Sequence, residues 1–278
     1  MRSVLRPTVY GDNVYKDTGT VPQVTRCKVS MMYPIQELPN VVELCKHKEI
    51  DFQKITEPIA LGENIRQQLR DFIWKISTLY RNNPFHNFYH ASHVLMGANK
   101  LLNRIVSDEV KLSRNSDISM IDKRDEFSFG ISCDPLAQFA ILFSALIHDV
   151  DHTGITNSQL VKENADIALR YNGQSVAEQN SLTVAWNTLL ESEYEDLFIT
   201  LFPTDAEEKR FRQLITTIVL ATDIMDANLK QRRDQRWDTV FSANSVDQPN
   251  DENIRNQKAT IIMEYVMQAS DIAHTMQH

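Results

Sequence analysis

The segment His148-Asp149-Val150-Asp151-His152 packs four metal-capable side chains into five residues. A second cluster, His86-Asn87-Phe88-Tyr89-His90, lies upstream, with His93 close behind. The chain has eight histidines, and five of them (His86, His90, His93, His148 and His152) fall in or beside these two stretches. Imidazole and carboxylate at this density suit a hard-to-borderline divalent metal, and a neighbouring His and Asp can feed two ions at once. A carboxylate shared by two cations suits attack of activated water on phosphorus. The chemistry expected is metal-dependent hydrolysis.

Each feature also has a plainer reading. His90 and His93 share a helix face at i and i+3, which equally fits an amphipathic surface helix. His148 could assist a helix dipole at a solvated C-terminus, but the aspartates beside it oppose that dipole. Ser175-Val176-Ala177-Glu178 has the form of a capping box, with Ser175 as N-cap and Glu178 as its partner. A place near metal-bound water is the competing role for Glu178. Asp223 and Asp271 follow apolar helical runs and alone would be ordinary solvated acids, although His274 follows Asp271 at i+3.

The elements that must position these residues read as helices. Ile65, Leu69, Phe72, Ile73, Ile76 and Leu79 recur at three- and four-residue steps from Glu63 onward, and Asn83-Pro84 ends that helix. A second helix is expected over about 88–107. Residues 108–134 read as a polar surface connection. Asp134-Pro135 then supplies an N-cap and a first-turn proline. The helix after it, to about His148, is apolar almost all round and is expected to be buried, delivering His148 and Asp149 from the core. Further helices are expected over about 159–171, 176–192, 205–233 and 253–273. Alternating β-branched runs are nearly absent, so the fold class is all-α, one compact multi-helix domain. Residues 1–40, with Pro7, Pro22, Pro34 and Pro39, read as irregular. The domain boundaries expected are 1–56 for an irregular lead-in and 57–278 for the helical domain.

Composition narrows the partners. The chain has 278 residues, 42% hydrophobic and 24% charged, ordinary for a globular protein with ample core material. A net charge of −8 argues against a nucleic-acid polymer as partner, which needs a basic footprint. A small phosphate ester remains compatible, because bound metals invert the local field. Cys27, Cys45 and Cys133 form no CxxC pair, which favours a reducing, intracellular and cytoplasmic setting. No apolar run approaches the roughly 20 residues of a membrane helix, and residues 1–10 lack a signal core. No membrane contact is expected of this chain, although a parent protein could be tethered.

In order and rough spacing, four runs together resemble the catalytic domain of the class I cyclic-nucleotide phosphodiesterases, over about residues 60–278. They are His86-Asn87-x-x-His90-Ala91, His148-Asp149-x-Asp151-His152-x-Gly154, Ala221-Thr222-Asp223 and Ala269-Ser270-Asp271-Ile272-Ala273-His274. Tyr171-Asn172 and Ser175-Val176-x-Glu178 also look like the family. His-Asp pairs alone would suggest only the wider HD-type phosphohydrolases. The resemblance implies a compact HD-type helical fold that hydrolyses 3′,5′-cyclic AMP, cyclic GMP or both to 5′-nucleotides in signal transduction. It implies Zn2+ held by His90, His148, Asp149 and Asp271, with Asp149 bridging to Mg2+ or Mn2+. His152, Glu178 and Thr222 would surround the water shell of the second ion. A hydroxide bridging the two ions would attack phosphorus. His86 would be the general acid for the leaving 3′ oxygen, and His86 and Asp271 would lie against substrate. The partner implied is a cyclic nucleotide; a homodimer is left open.

The chain departs from the family at Phe85, where a tyrosine is frequent, and at Gln179-Asn180-Ser181, where many members have histidines. It also ends at His278, before the position where the family's further helices supply a glutamine and an aromatic clamp for the purine. The expectation is a C-terminally truncated catalytic domain, with purine-binding residues unknown and weak or no turnover by residues 1–278 alone.

Overall fold

The computed structural model of the protein describes residues 41–44, 61–113, 128–241 and 251–273, and every regular element among them is helical. The readings that fall on residues 1–40, Cys27, Cys45 and His274 lie outside the described residues. No helix among the described residues is long and apolar enough to cross a membrane.

Helix α1 (Glu63–Leu79) buries Phe72 and Ile76 and leaves Trp74 on the outside. It stops at Tyr80, in extended conformation ahead of the Asn83-Pro84 break. Helix α2 (Phe88–Ser113) starts where the Asn87 side chain accepts the His90 N–H at 3.0 Å, an N-cap bond. His90, Val94, Ala98 and Leu102 fall on its buried face at four-residue steps, so His90 points into the protein with the apolar core. This helix runs one and a half turns past the expected end near residue 107. Of the expected surface connection over 108–134, residues 128–134 are partly interior: Ser128, Ile131 and Asp134 are buried around a short 3₁₀ turn, Ile131–Cys133.

Helix α3 (Pro135–Ile147) is the central element. Asp134 caps it through Ala137 N at 3.0 Å, with Pro135 in the first turn, as the sequence indicates. Eight of its thirteen residues are buried, from Ala137 to Ile147. The Tyr80 hydroxyl donates to Leu146 O at 2.7 Å and so satisfies a carbonyl of its open end.

The expected helix over 159–171 is two helices, α4 (Asn157–Lys162) and α5 (Asp166–Arg170). Asn164 and Asn172 take left-handed conformations, and Ala165 N→Leu160 O and Gly173 N→Ala168 O close each helix as a Schellman end. Helix α6 (Val176–Leu189) is followed by α7 (Glu195–Leu201), which was not expected, although Leu197, Phe198, Leu201 and Phe202 carry its spacing. Helix α8 (Asp205–Leu220) and helix α9 (Ala227–Phe241) replace one expected helix. Asp223 Oδ1 accepts from Met225 N and Asp226 N, and Asp226 then caps α9 through Asn228 N and Leu229 N. Two short-range aspartate caps outcompete helix continuation there.

Helix α10 (Glu252–Ala273) packs against α2, α3 and α8 and closes the core. Its Thr260 and Asn256 side chains accept from the backbone of Val42 and Leu44, at 3.1 and 3.3 Å, and those two side chains are buried. Aromatic packing of Trp186 with Phe198, Phe202 and Phe211 joins α6, α7 and α8 beneath α3.

Candidate metal centre

The helical scaffold delivers six of the expected residues to one place. His86 lies just before α2 and His90 in its first turn; His148 and Asp149 follow α3; His152 is in the turn beyond; Asp271 is near the end of α10. Asp149 Oδ2 faces three imidazole nitrogens: His86 Nδ1 at 2.8 Å, His148 Nε2 at 3.3 Å and His90 Nε2 at 3.5 Å. Asp271 Oδ1 lies 2.9 Å from His90 Nε2 and 3.7 Å from His148 Nε2. Two groups have the ligand spacing of a metal site, His90–His148–Asp271 and His86–Asp149–His152, with the candidate atoms of each within 4.8 Å of one another.

The two histidines of the α3 turn present opposite faces. His148 Nδ1 lies 3.0 Å from the Ala145 carbonyl, which can only accept, so Nδ1 carries a proton and Nε2 is the nitrogen turned towards Asp149 and Asp271. His152 Nδ1 accepts the Gly154 N–H at 2.9 Å, so its proton is on Nε2 and that nitrogen donates.

Electrostatics follow from burial and pairing. Burial pushes the Asp149 carboxyl up, but the His148 charge and the hydrogen bonds of His148 and His86 hold it well below the ordinary carboxylate range. Asp271 is held low in the same way, burial being outweighed by hydrogen bonds to His148 and His90. Burial pulls the His148 imidazolium down, and Asp149 and Asp271 lift it well above its ordinary value. Burial dominates at His152 and lowers it to about 4, so its ring is neutral at pH 7. Glu178 is raised to about 7, first by burial and then by the Asp223 charge.

The surrounding turn is braced from several sides. Asp151 sits in the left-handed region at φ 62°, held by Arg81 Nε at 2.7 Å and Asn180 Nδ2 at 2.9 Å. Ser181 Oγ donates to Val150 O at 2.8 Å. Asn180 and Ser181, which depart from the family pattern, thus brace the His148–His152 turn from behind. Asn83 Nδ2 donates to the carbonyls of both His86 and His152, and the rings of that pair stack at 3.8 Å.

Two expected residues stand apart from this cluster. The Thr222 hydroxyl donates back to Val219 O at 2.8 Å, in the turn after α8. Glu178 lies in the first turn of α6, where the capping box does not form. Ser175 is left-handed at φ 38° and its side chain makes no cap, whereas Asn157 Oδ1 accepts the Ala177 N–H at 2.9 Å. Asn157 Nδ2 donates to Glu178 Oε2 at 2.8 Å, while the carboxylate also accepts from the backbone N–H of Glu178 itself. Asn83 and Asn157 carry no signal in the sequence that separates them from ordinary turn and cap residues.

Residues 85–278 match the family model of the 3′,5′-cyclic nucleotide phosphodiesterases. The chain belongs to this family. A Drosophila melanogaster 3′,5′-cyclic-AMP phosphodiesterase, isoform F, is 34% identical over 144 residues, 52% of this chain and 18% of that protein. The mouse (Mus musculus) dual specificity calcium/calmodulin-dependent 3′,5′-cyclic nucleotide phosphodiesterase 1C is 30% identical over 194 residues, 69% of this chain and 22% of that protein. The chain thus spans less than a quarter of the length of these curated relatives. Its fold resembles the phosphodiesterase domain of a Salpingoeca rosetta rhodopsin phosphodiesterase, with a TM-score of 0.56 at 24% identity, covering 82% of this chain and 59% of that one.

Proposed function

We propose that this chain carries the cleavage centre of an enzyme hydrolysing 3′,5′-cyclic nucleotides, cyclic AMP, cyclic GMP or both, to 5′-nucleotides. The observation that carries the reading is the convergence of Asp149 Oδ2 on His86, His90 and His148, with Asp271 closing the far side. Family membership supplies the substrate class.

The donor set fits metal. A buried His148 Nε2 facing two carboxylates held ionised is a donor set that a divalent cation would take up, displacing the imidazolium proton. We assign His90, His148, Asp149 and Asp271 to Zn2+, and Asp149 also to Mg2+ or Mn2+. When bound, such ions offset phosphodiester charge and lower the pKa of nearby water. His152, neutral and protonated at Nε2, donates to an oxygen of water or phosphate. Glu178 accepts from water, and Thr222 lines the same shell. His86 is anchored by its Nδ1 bond to Asp149, so its proton for the leaving 3′ oxygen is carried on Nε2.

The test compares release of 5′-AMP and 5′-GMP from the cyclic nucleotides with hydrolysis of nucleoside triphosphates, in parallel with metal content. His148→Ala and Asp149→Ala are expected to lose the tightly held ion and at least about a hundredfold of any cyclic-nucleotide turnover. Unchanged turnover in metal-stripped Asp149→Ala protein would sink the assignment.

A further inference from the structure

The Asn157 side chain joins three elements. Its Oδ1 accepts from Ala177 N at 2.9 Å, at the start of α6. Its Nδ2 carries two protons, one donated to Glu178 Oε2 at 2.8 Å and the other to Asp223 Oδ2 at 3.2 Å. Asp223 is buried in the turn between α8 and α9, and its other oxygen is committed to the backbone of that turn. Two carboxylates from separate helix ends, one buried and one part-buried, are therefore held by one amide.

The arrangement has a directional consequence. A carboxylate at the third position of a helix ordinarily folds back on the helix N-terminus. Asn157 takes over the cap and holds a Glu178 oxygen as well, so the Glu178 carboxylate is pinned between its own backbone N–H and the Asn157 amide. The same amide fixes the turn that contains Thr222. Two of the three residues assigned to the second ion's water shell thus depend on one side chain from α4, which touches no proposed ligand. We infer that Asn157 is a positioning residue for that shell: it sets Glu178 and the Thr222–Asp223 turn in register with Asp149. The inference rests on the two-metal reading above.

The variants separate positioning from capping. Asn157→Asp keeps an acceptor for Ala177 N and loses both donated bonds; Asn157→Ala loses all three. The 278-residue protein is stripped with chelator, reloaded with one equivalent of Zn2+, and titrated with Mn2+, reading bound ion by electron paramagnetic resonance and retained zinc by mass spectrometry. In wild type, zinc is retained and Mn2+ binds as a weaker second class. Both variants are expected to retain zinc and to lose about ten- to a hundredfold in Mn2+ affinity. If Asn157→Asp does not fold, Asn157→Asp with Asp223→Asn restores a donor–acceptor pair at the turn but leaves Glu178 without its donor. That protein is expected to fold and still bind Mn2+ weakly. Wild-type Mn2+ affinity in whichever aspartate variant folds, or equal loss of zinc and Mn2+, overturns the assignment of Asn157. Absence of a second class in the wild type overturns the two-metal reading itself.

Discussion

Glu178→Gln is expected to stabilise the metal-free protein, and only above acid pH. Glu178 has an ordinary value of 4.5 and is raised to about 7 in the fold, by burial and then by Asp223. Its folded form therefore holds a proton that the unfolded chain has released between those two values. Stability associated with that proton is present below about pH 4.5 and is lost as the pH rises towards about 7. The full loss amounts to about 3 kcal/mol, or roughly 5–10 °C in melting temperature for a chain of this size. Glutamine is nearly isosteric, can still accept from Asn157 Nδ2, and never ionises. Urea unfolding of chelator-treated wild type and Glu178→Gln, from about pH 4.5 to about pH 8, should give matching stabilities at the acid end. The gap in favour of the variant should widen to about 3 kcal/mol at the alkaline end. Loading with divalent metal should shrink that gap, because a cation near Asp149 favours the ionised glutamate. A gap that stays constant with pH, or one that favours the glutamate at about pH 8 without metal, would refute the argument.

Two further substitutions probe the scaffold. Arg210 pairs with Asp134 through both guanidinium nitrogens while Asp134 caps α3. Arg210→Ala removes the cationic partner of a buried carboxylate and should cost about 3 kcal/mol by urea unfolding, whereas Asp134→Asn, which retains an acceptor for Ala137 N, should cost less. The Arg236–Glu264 pair, 2.7 Å apart and almost wholly buried, ties α9 to α10. Arg236→Met or Glu264→Leu alone should cost about 3–5 kcal/mol, and the double substitution should recover most of it; additive losses would show that the ion pair is not the source.

The sequence reveals the ligand-bearing elements because strong, local signals coincide there. The Asp134-Pro135 start and the all-round apolar run predict a buried α3, and the structure contains it with His148 and Asp149 at its end. The i, i+4 spacing of His90, Val94, Ala98 and Leu102 likewise turns His90 inward. The failures fall where short-range polar chemistry breaks a helical pattern. Asn164 in left-handed conformation, and the Asp223 and Asp226 caps, divide helices that periodicity alone would continue. The capping box at Ser175 fails for a different reason: Asn157, eighteen residues earlier in the chain, takes the cap from another helix. A sequence window contains both partners of a local cap but not a competitor from elsewhere in the fold.

The uneven exposure of the six clustered residues has a kinetic consequence. His90 and His148 are locked in the core by α2 and α3, while the side chains of His86 and Asp271 are about a third and a quarter open to solvent. The candidate centre thus has a buried floor and a partly open rim. An ion arriving from solution meets Asp271 and His86 first and reaches the buried nitrogens only as those side chains yield. Exchange of an ion held as proposed would pass through that mouth and is expected to need no opening of the helix bundle. Rim substitutions should change how fast metal is captured and lost, and floor substitutions whether it is held at all.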